Sequence, residues 1–144
     1  MRARTFVLGA CAILMTTPAM AEIARVKMAT GAASIERNGK LTRAAPGVQL
    51  QQGDRLVTGK DGRISLTFLD NTRFAVGPNS RVSVSQFRYD RTRQQGEFVT
   101  SVDRGSLAIV SGKIAKSKRD AMRVRTPTSL LGVRGTKFIV EVPK

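Results

Sequence analysis

The chain has 144 residues, which fits one domain. Its 25 Lys and Arg against 10 Asp and Glu give a formal net charge of +15, with one cysteine and no histidine. These counts exclude Ser–His and Cys–His catalytic arrangements and any disulfide within the chain, and they favour association with polyanions.

The first 21 residues read as an export leader. Arg2 and Arg4 form a basic start, residues 6–15 are mostly apolar, and Thr16, Thr17 and Pro18 break the run. Ala19-Met20-Ala21 then supplies the small residues a signal peptidase requires. The apolar run is too short to span a bilayer. Cleavage after Ala21 would leave residues 22–144 as the mature domain, periplasmic or secreted, with no transmembrane segment. An uncleaved anchor helix is one alternative. Lipoprotein processing at Leu8-Gly9-Ala10-Cys11 is the other. Cleavage after Ala21 removes Cys11 together with Arg2 and Arg4, and lowers the net charge from +15 to +13. The mature chain then has neither cysteine nor histidine, which leaves no His/Cys zinc site. Packing and β-ladder hydrogen bonds must hold it together.

Beyond residue 25, alternation with period two dominates. Residues 32–36 and 41–43 flank Asn38-Gly39, a strong hairpin signal. Residues 54–58 precede a turn at Gly59-Lys60-Asp61-Gly62. Ile64, Leu66 and Phe68 then alternate with Arg63, Ser65 and Thr67, and Asp70-Asn71 turns the chain. Phe74 and Val76 follow, then Gly77-Pro78-Asn79-Ser80, then Val82, Val84 and Phe87 in alternation. Residues 90–97, with Arg91 and Arg93, read as an exposed loop or hairpin tip. Residues 98–102 and 106–110 read as two strands. Residues 112–120 hold Lys113, Lys116, Lys118 and Arg119, the densest basic run, and read as a loop with room for a short helical turn. Strands at 122–125 and 137–142 complete the set.

Short strands spaced by turns predict an all-β single domain, a β-sandwich or a β-solenoid-like roll, with a barrel also consistent with the pattern. The cadence shared by Gln52-Gly53-Asp54-Arg55-Leu56 and Arg104-Gly105-Ser106-Leu107 points towards stacked rungs. Near the end, Gly132-Val133-Arg134-Gly135-Thr136 reads as a tight turn that sets Arg134 at a strand edge and launches the strand of Lys137, Ile139 and Glu141. If that strand lies at a sheet edge, its free backbone groups can pair with a partner strand. The alternative is an ordinary terminal strand between neighbours. Arg134 is suited to an anion through its guanidinium fork, or to closing the turn on a carboxylate or carbonyl. The basic loops are likewise candidate partner or anion contacts, or solvated charge that protects sheet edges.

No catalytic residue, cofactor or metal site is expected. An enzyme working through carboxylates needs two acids facing one cleft, and the candidates Asp54, Asp61, Asp70, Asp90, Asp103 and Asp120 sit in turn contexts. No loop has the acidic spacing of an EF-hand. Gly132-x-x-Gly135 precedes a strand rather than the helix N-terminus that binds phosphate. Specific nucleic-acid binding is not expected either, since only Phe87 and Tyr89 lie beside basic residues.

Several segments together resemble the FecR domain, named for the periplasmic regulator of ferric-citrate uptake. They are residues 50–54 with Leu56-Val57-Thr58-Gly59, residues 61–68 with Asp70-Asn71-Thr72, Gly77-Pro78-Asn79-Ser80-Arg81-Val82, and Thr126-Pro127 with Val133-Arg134-Gly135-Thr136. The likeness runs from about Val48 to Val142. It implies an all-β periplasmic domain. The best-known members are sigma-regulating transducers with a cytoplasmic arm, one transmembrane helix, this domain, and a C-terminal part that meets an outer-membrane transporter. Here five residues precede Phe6 and two follow Val142. The expectation is therefore the bare exported module, a non-catalytic interaction, signalling or scaffold domain for an envelope protein partner. The alternative is a basic protein that binds an anionic polymer, an acidic glycan or lipid headgroup.

Overall fold

Alternating apolar and polar residues build most of the strands, which bury one face. The computed structural model describes residues 13–15, 20–135 and 137–143. Cys11, most of the leader and Thr136 of the terminal motif lie outside the described residues. The strands are β1 (Ala24–Thr30), β2 (Ala33–Arg37), β3 (Lys40–Arg43), β4 (Gln49–Leu50), β5 (Arg55–Thr58), β6 (Arg63–Phe68), β7 (Arg73–Val76), β8 (Arg81–Asp90), β9 (Gln95–Val110), β10 (Met122–Arg125), β11 (Leu130–Gly132) and β12 (Lys137–Val142). Among the described residues a single short helix, α1 (Lys113–Ser117), follows β9. The all-β expectation holds.

The strands form one curled sheet in the order β3-β2-β5-β8-β9-β7-β6-β1-β4, with β10, β11 and β12 branching from it. The ladders are antiparallel except β9 with β10. A solenoid of stacked rungs would need parallel ladders, so the roll closes by hairpins instead.

The pivot is β9, 16 residues long. Residues 98–102 and 106–110 are not two strands but parts of this one. β8 and β7 lie along one flank of β9, in nearly continuous register from Gln95 to Val110. On the opposite flank β10 pairs in parallel with Phe98 to Ser101, and β12 pairs antiparallel with Gly105 to Val110. One strand therefore serves two half-sheets. The first runs β3-β2-β5-β8-β9-β10-β11 and the second runs β4-β1-β6-β7-β9-β12. Between them β9 skips register at Asp103, which is the extra residue of a bulge. Gly105 follows with φ +86°, a backbone that other residues adopt only under strain.

The half-sheets enclose one core. At its centre Phe98 of β9 touches Phe68, Phe74 and Phe87, with ring centroids 4.6, 5.5 and 5.0 Å away. Turn chemistry sets the registers around it. Asn38 and Gly39 both take positive φ, the type I′ geometry of a two-residue hairpin. β1 had no clear sequence signal. Its outward residues include Lys27 and the exposed Met28, and a register shift between Val26 and Met28 breaks its alternation.

Candidate functional site

Each half-sheet ends on the same flank of β9, and among the described residues no further strand pairs with either end. Among the described residues β11 pairs only with β10, and β12 pairs only with β9. Residues 102–104 of β9 have no partner on this flank, because β10 stops at Ser101 and β12 begins pairing at Gly105. A groove of about 570 Å³ opens there. One wall is the β10–β11 turn, residues 126–129, with Leu131. The other is residues 139–143 of β12 and its end, and Asp103 lies between them.

Strand alternation explains what the groove presents. Phe138 and Val140 oppose Ile109 and Leu107, and Val140 is buried. Ile139 and Glu141 face the other way, and Ile139 is 68 % exposed. Leu130 and Leu131 on β11 are exposed as well. Three large apolar side chains thus stand in solvent on or beside two unpaired strand edges. Such an edge offers backbone hydrogen bonds and alternating side-chain pockets to an extended segment.

The predicted contact residues divide among several places. Ile139 and Glu141 line the groove. Lys137 is exposed and heads β12 opposite Val110. Arg134 is exposed in the link between β11 and β12 and takes part in none of the ion pairs among the described residues. The two basic loops are drawn together at the far end of the first half-sheet. Arg93 and Lys118 line one pocket of about 430 Å³ with Arg88, Tyr89, Asp90 and Glu97. Arg91, Lys113, Lys116 and Arg119 are exposed outside it.

The glycine turn of the terminal motif works differently from its expected form. Neither Gly132 nor Gly135 takes positive φ. Gly132 ends β11, and a Cβ there would strike Asp120 Oδ1. That contact is with the end of an exposed side chain and not with backbone. The link is tied down by Val133 N–H donating to the Met122 carbonyl at 2.9 Å and by Ser111 Oγ donating to the Gly135 carbonyl.

The acids serve mainly as acceptors in turns. Asp54 is buried and accepts from Arg37 Nε at 2.8 Å, Arg37 Nη2 at 2.6 Å and Gln51 N at 2.8 Å. This hydrogen-bonded pairing raises the Arg37 pKa above the ordinary guanidinium value, against the opposing effect of burial. Asp70 is buried and accepts from Thr72 N, Thr72 Oγ1 and Ile114 N. Asp61 accepts from Ala32 N. Asp90 accepts from Thr92 N and Arg93 N. Asp103 shares the groove with Glu141. No cluster of three or more His, Cys, Asp or Glu suited to a metal occurs among the described residues.

The FecR protein model matches residues 54–144, more than half of the chain. The chain belongs to the FecR family. It is a domain of signalling or regulatory type. The FecR match takes in the core phenylalanines and both walls of the groove, and leaves out β1 to β4. No curated protein and no solved structure matches the chain.

Ile139 and Glu141 are legible in the alternation of the last strand, whereas Asp103, Leu131 and the 126–129 wall are not. The available signal was the pair Leu130-Leu131, two large apolar residues directly after a Thr-Pro-Thr-Ser turn. The gap over residues 102–104 depends on which strands flank β9, a long-range relationship that no local pattern carries.

Proposed function

We propose that this FecR domain is an exported, non-catalytic interaction module that captures an extended segment of an envelope protein along the open edge of β12. The observation that carries the proposal is the groove between two unpaired strand edges, with Ile139 exposed at its mouth. Family membership supports a signalling or regulatory role. Export rests on the leader pattern of residues 1–21. Absence of histidine, and the use of Asp54, Asp61, Asp70 and Asp90 as turn acceptors, favour binding over turnover. No helix among the described residues is long and apolar enough to cross a membrane.

Site-specific photocrosslinking in intact cells tests the reading. A photoreactive residue at position 139 is expected to give a discrete adduct with an envelope protein. The same residue at position 28 on β1, also exposed, is expected to give none. Absence of an adduct at 139, or equal adducts at both positions, overturns the proposal. Alkaline phosphatase fused after residue 144 is expected to be active in cells. An inactive fusion overturns export.

A further inference from the structure

We propose that the outer face of the first half-sheet binds an acidic polysaccharide, on a floor of serines rimmed by arginines. Cross-strand register places Arg55 opposite Ser83, Ser83 opposite Ser101, and Ser101 opposite Arg125. The next row sets Arg81 directly opposite Arg104. Leu56, Val82, Val84, Val102 and Val124, the alternating neighbours, are buried, so these serines and arginines share the outward face. Ser85 Oγ lies 3.2 Å from Ser101 Oγ, and Arg55 Nε donates to Ser83 Oγ at 3.3 Å.

The charge on this face is not balanced from within. Among the described residues Arg55 pairs with Glu36, whereas Arg81, Arg104, Arg123 and Arg125 enter no ion pair. Like charges directly opposite across a ladder are destabilising, and Arg81–Arg104 is such a pair. The Nε atoms of Arg81 and Arg123 are also buried without a hydrogen-bond partner. An anion laid across the sheet relieves the repulsion, and guanidinium forks match carboxylate geometry. The serine hydroxyls offer donors and acceptors to sugar hydroxyls.

The width favours a polymer over a single ion. Arg55 and Arg125 are three strand spacings apart, about 14 Å. Four phenylalanines are spent in the core, which leaves bases nothing on this face to stack upon and disfavours single-stranded nucleic acid. The exposed Leu41 and Leu130 stand at opposite ends of the row, on a sheet that curls between them. They do not meet one plane as a lipid surface requires.

Binding of fluorescent oligogalacturonate to the purified chain, at salt from about 50 to 200 mM, tests this. The expected result is steeply salt-dependent binding that Arg81→Gln with Arg104→Gln weakens by about tenfold. Lys113→Gln with Lys116→Gln removes the same charge from α1 and is expected to weaken it by less than about twofold. If the first double variant fails to fold, as judged by circular dichroism, Arg123→Gln with Arg125→Gln carries the same expectation. Equal losses for face and helix variants overturn the proposal, as does no binding at low salt. Tighter binding to oligothymidylate or to phosphatidylglycerol vesicles overturns it too. An Ile139 substitution leaves the glycan affinity unchanged, which separates this surface from the β12 edge.

Discussion

The Asp70 carboxylate accepts a hydrogen bond from the backbone N–H of Ile114, 44 residues further along the chain, at 3.2 Å. The same carboxylate accepts from Thr72 N and Thr72 Oγ1, while Lys113 N donates to the Asp70 carbonyl. One turn thereby caps α1 from outside and fixes the exit of β9. Asp70→Ala leaves three buried donors unpaired and is expected to cost about 2–4 kcal/mol. Asp70→Asn keeps one acceptor oxygen and is expected to cost less. Urea denaturation midpoints measure both, and equal effects from the two substitutions would contradict the account.

Two glycines separate rigid contacts from yielding ones. A Cβ at Gly112 would strike the Asp70 carbonyl oxygen and Thr72 N, both backbone. At Gly132 it would meet the end of the exposed Asp120 side chain, which can swing away. Gly112→Ala is expected to destabilise by more than about 2 kcal/mol, and Gly132→Ala by less than about 1 kcal/mol. Thermal melts of the two variants give the comparison.

Phe98 and Phe68 each meet the three other phenylalanines of the core cluster. Phe98 is fully buried. Phe98→Ala is expected to cost about 3–5 kcal/mol, and Phe98→Leu distinctly less because it fills more of the void. Ile139→Thr, on an exposed position, is expected to change stability by under about 0.5 kcal/mol. Chemical denaturation distinguishes the three.

The Arg37–Asp54 pair makes a prediction about pH. Hydrogen bonding to Asp54 raises the Arg37 pKa in the folded state. Stability from that shift is complete below the unfolded guanidinium value and is lost only as pH rises through the folded one, in strongly alkaline solution. Arg37→Met is expected to cost about 1–2 kcal/mol, since the Arg37 side chain is partly exposed and the pair is screened. The difference between wild type and variant should stay constant from about pH 6 to pH 10. A gap that closed across that range would show that a different group carries the effect.

Much of the fold is legible in the chain because short-range rules decide it. The Ile64, Leu66 and Phe68 alternation, the Asn38-Gly39 hairpin and the turn at Pro78-Asn79 each act within a few residues. β1 escaped because exposed Met28 and a bulge blur its period. In sequence β9 reads as two strands because Asp103, Arg104 and Gly105 look like a turn. In the fold the same residues are a bulge and a bend that the flanking strands hold in register. Of the contact surfaces, the β12 face was readable from its alternation. The meeting of Arg93 with Lys118, and the Arg81–Arg104 row, were not. Both depend on strand neighbours far apart in sequence.

Because β9 is a member of both half-sheets, melting one of them strips ladder partners from the other. Loosening either half withdraws ladder partners from the strand that the other half needs. Amide protons in the doubly flanked parts of β9, residues 98–101 and 105–110, should therefore exchange with solvent only through global opening, whereas those of residues 102–104 and of the outer edges of β11 and β12 should exchange more readily. The docking proposed above would then register as protection confined to those edges and to the gap, against a backbone whose centre is already silent.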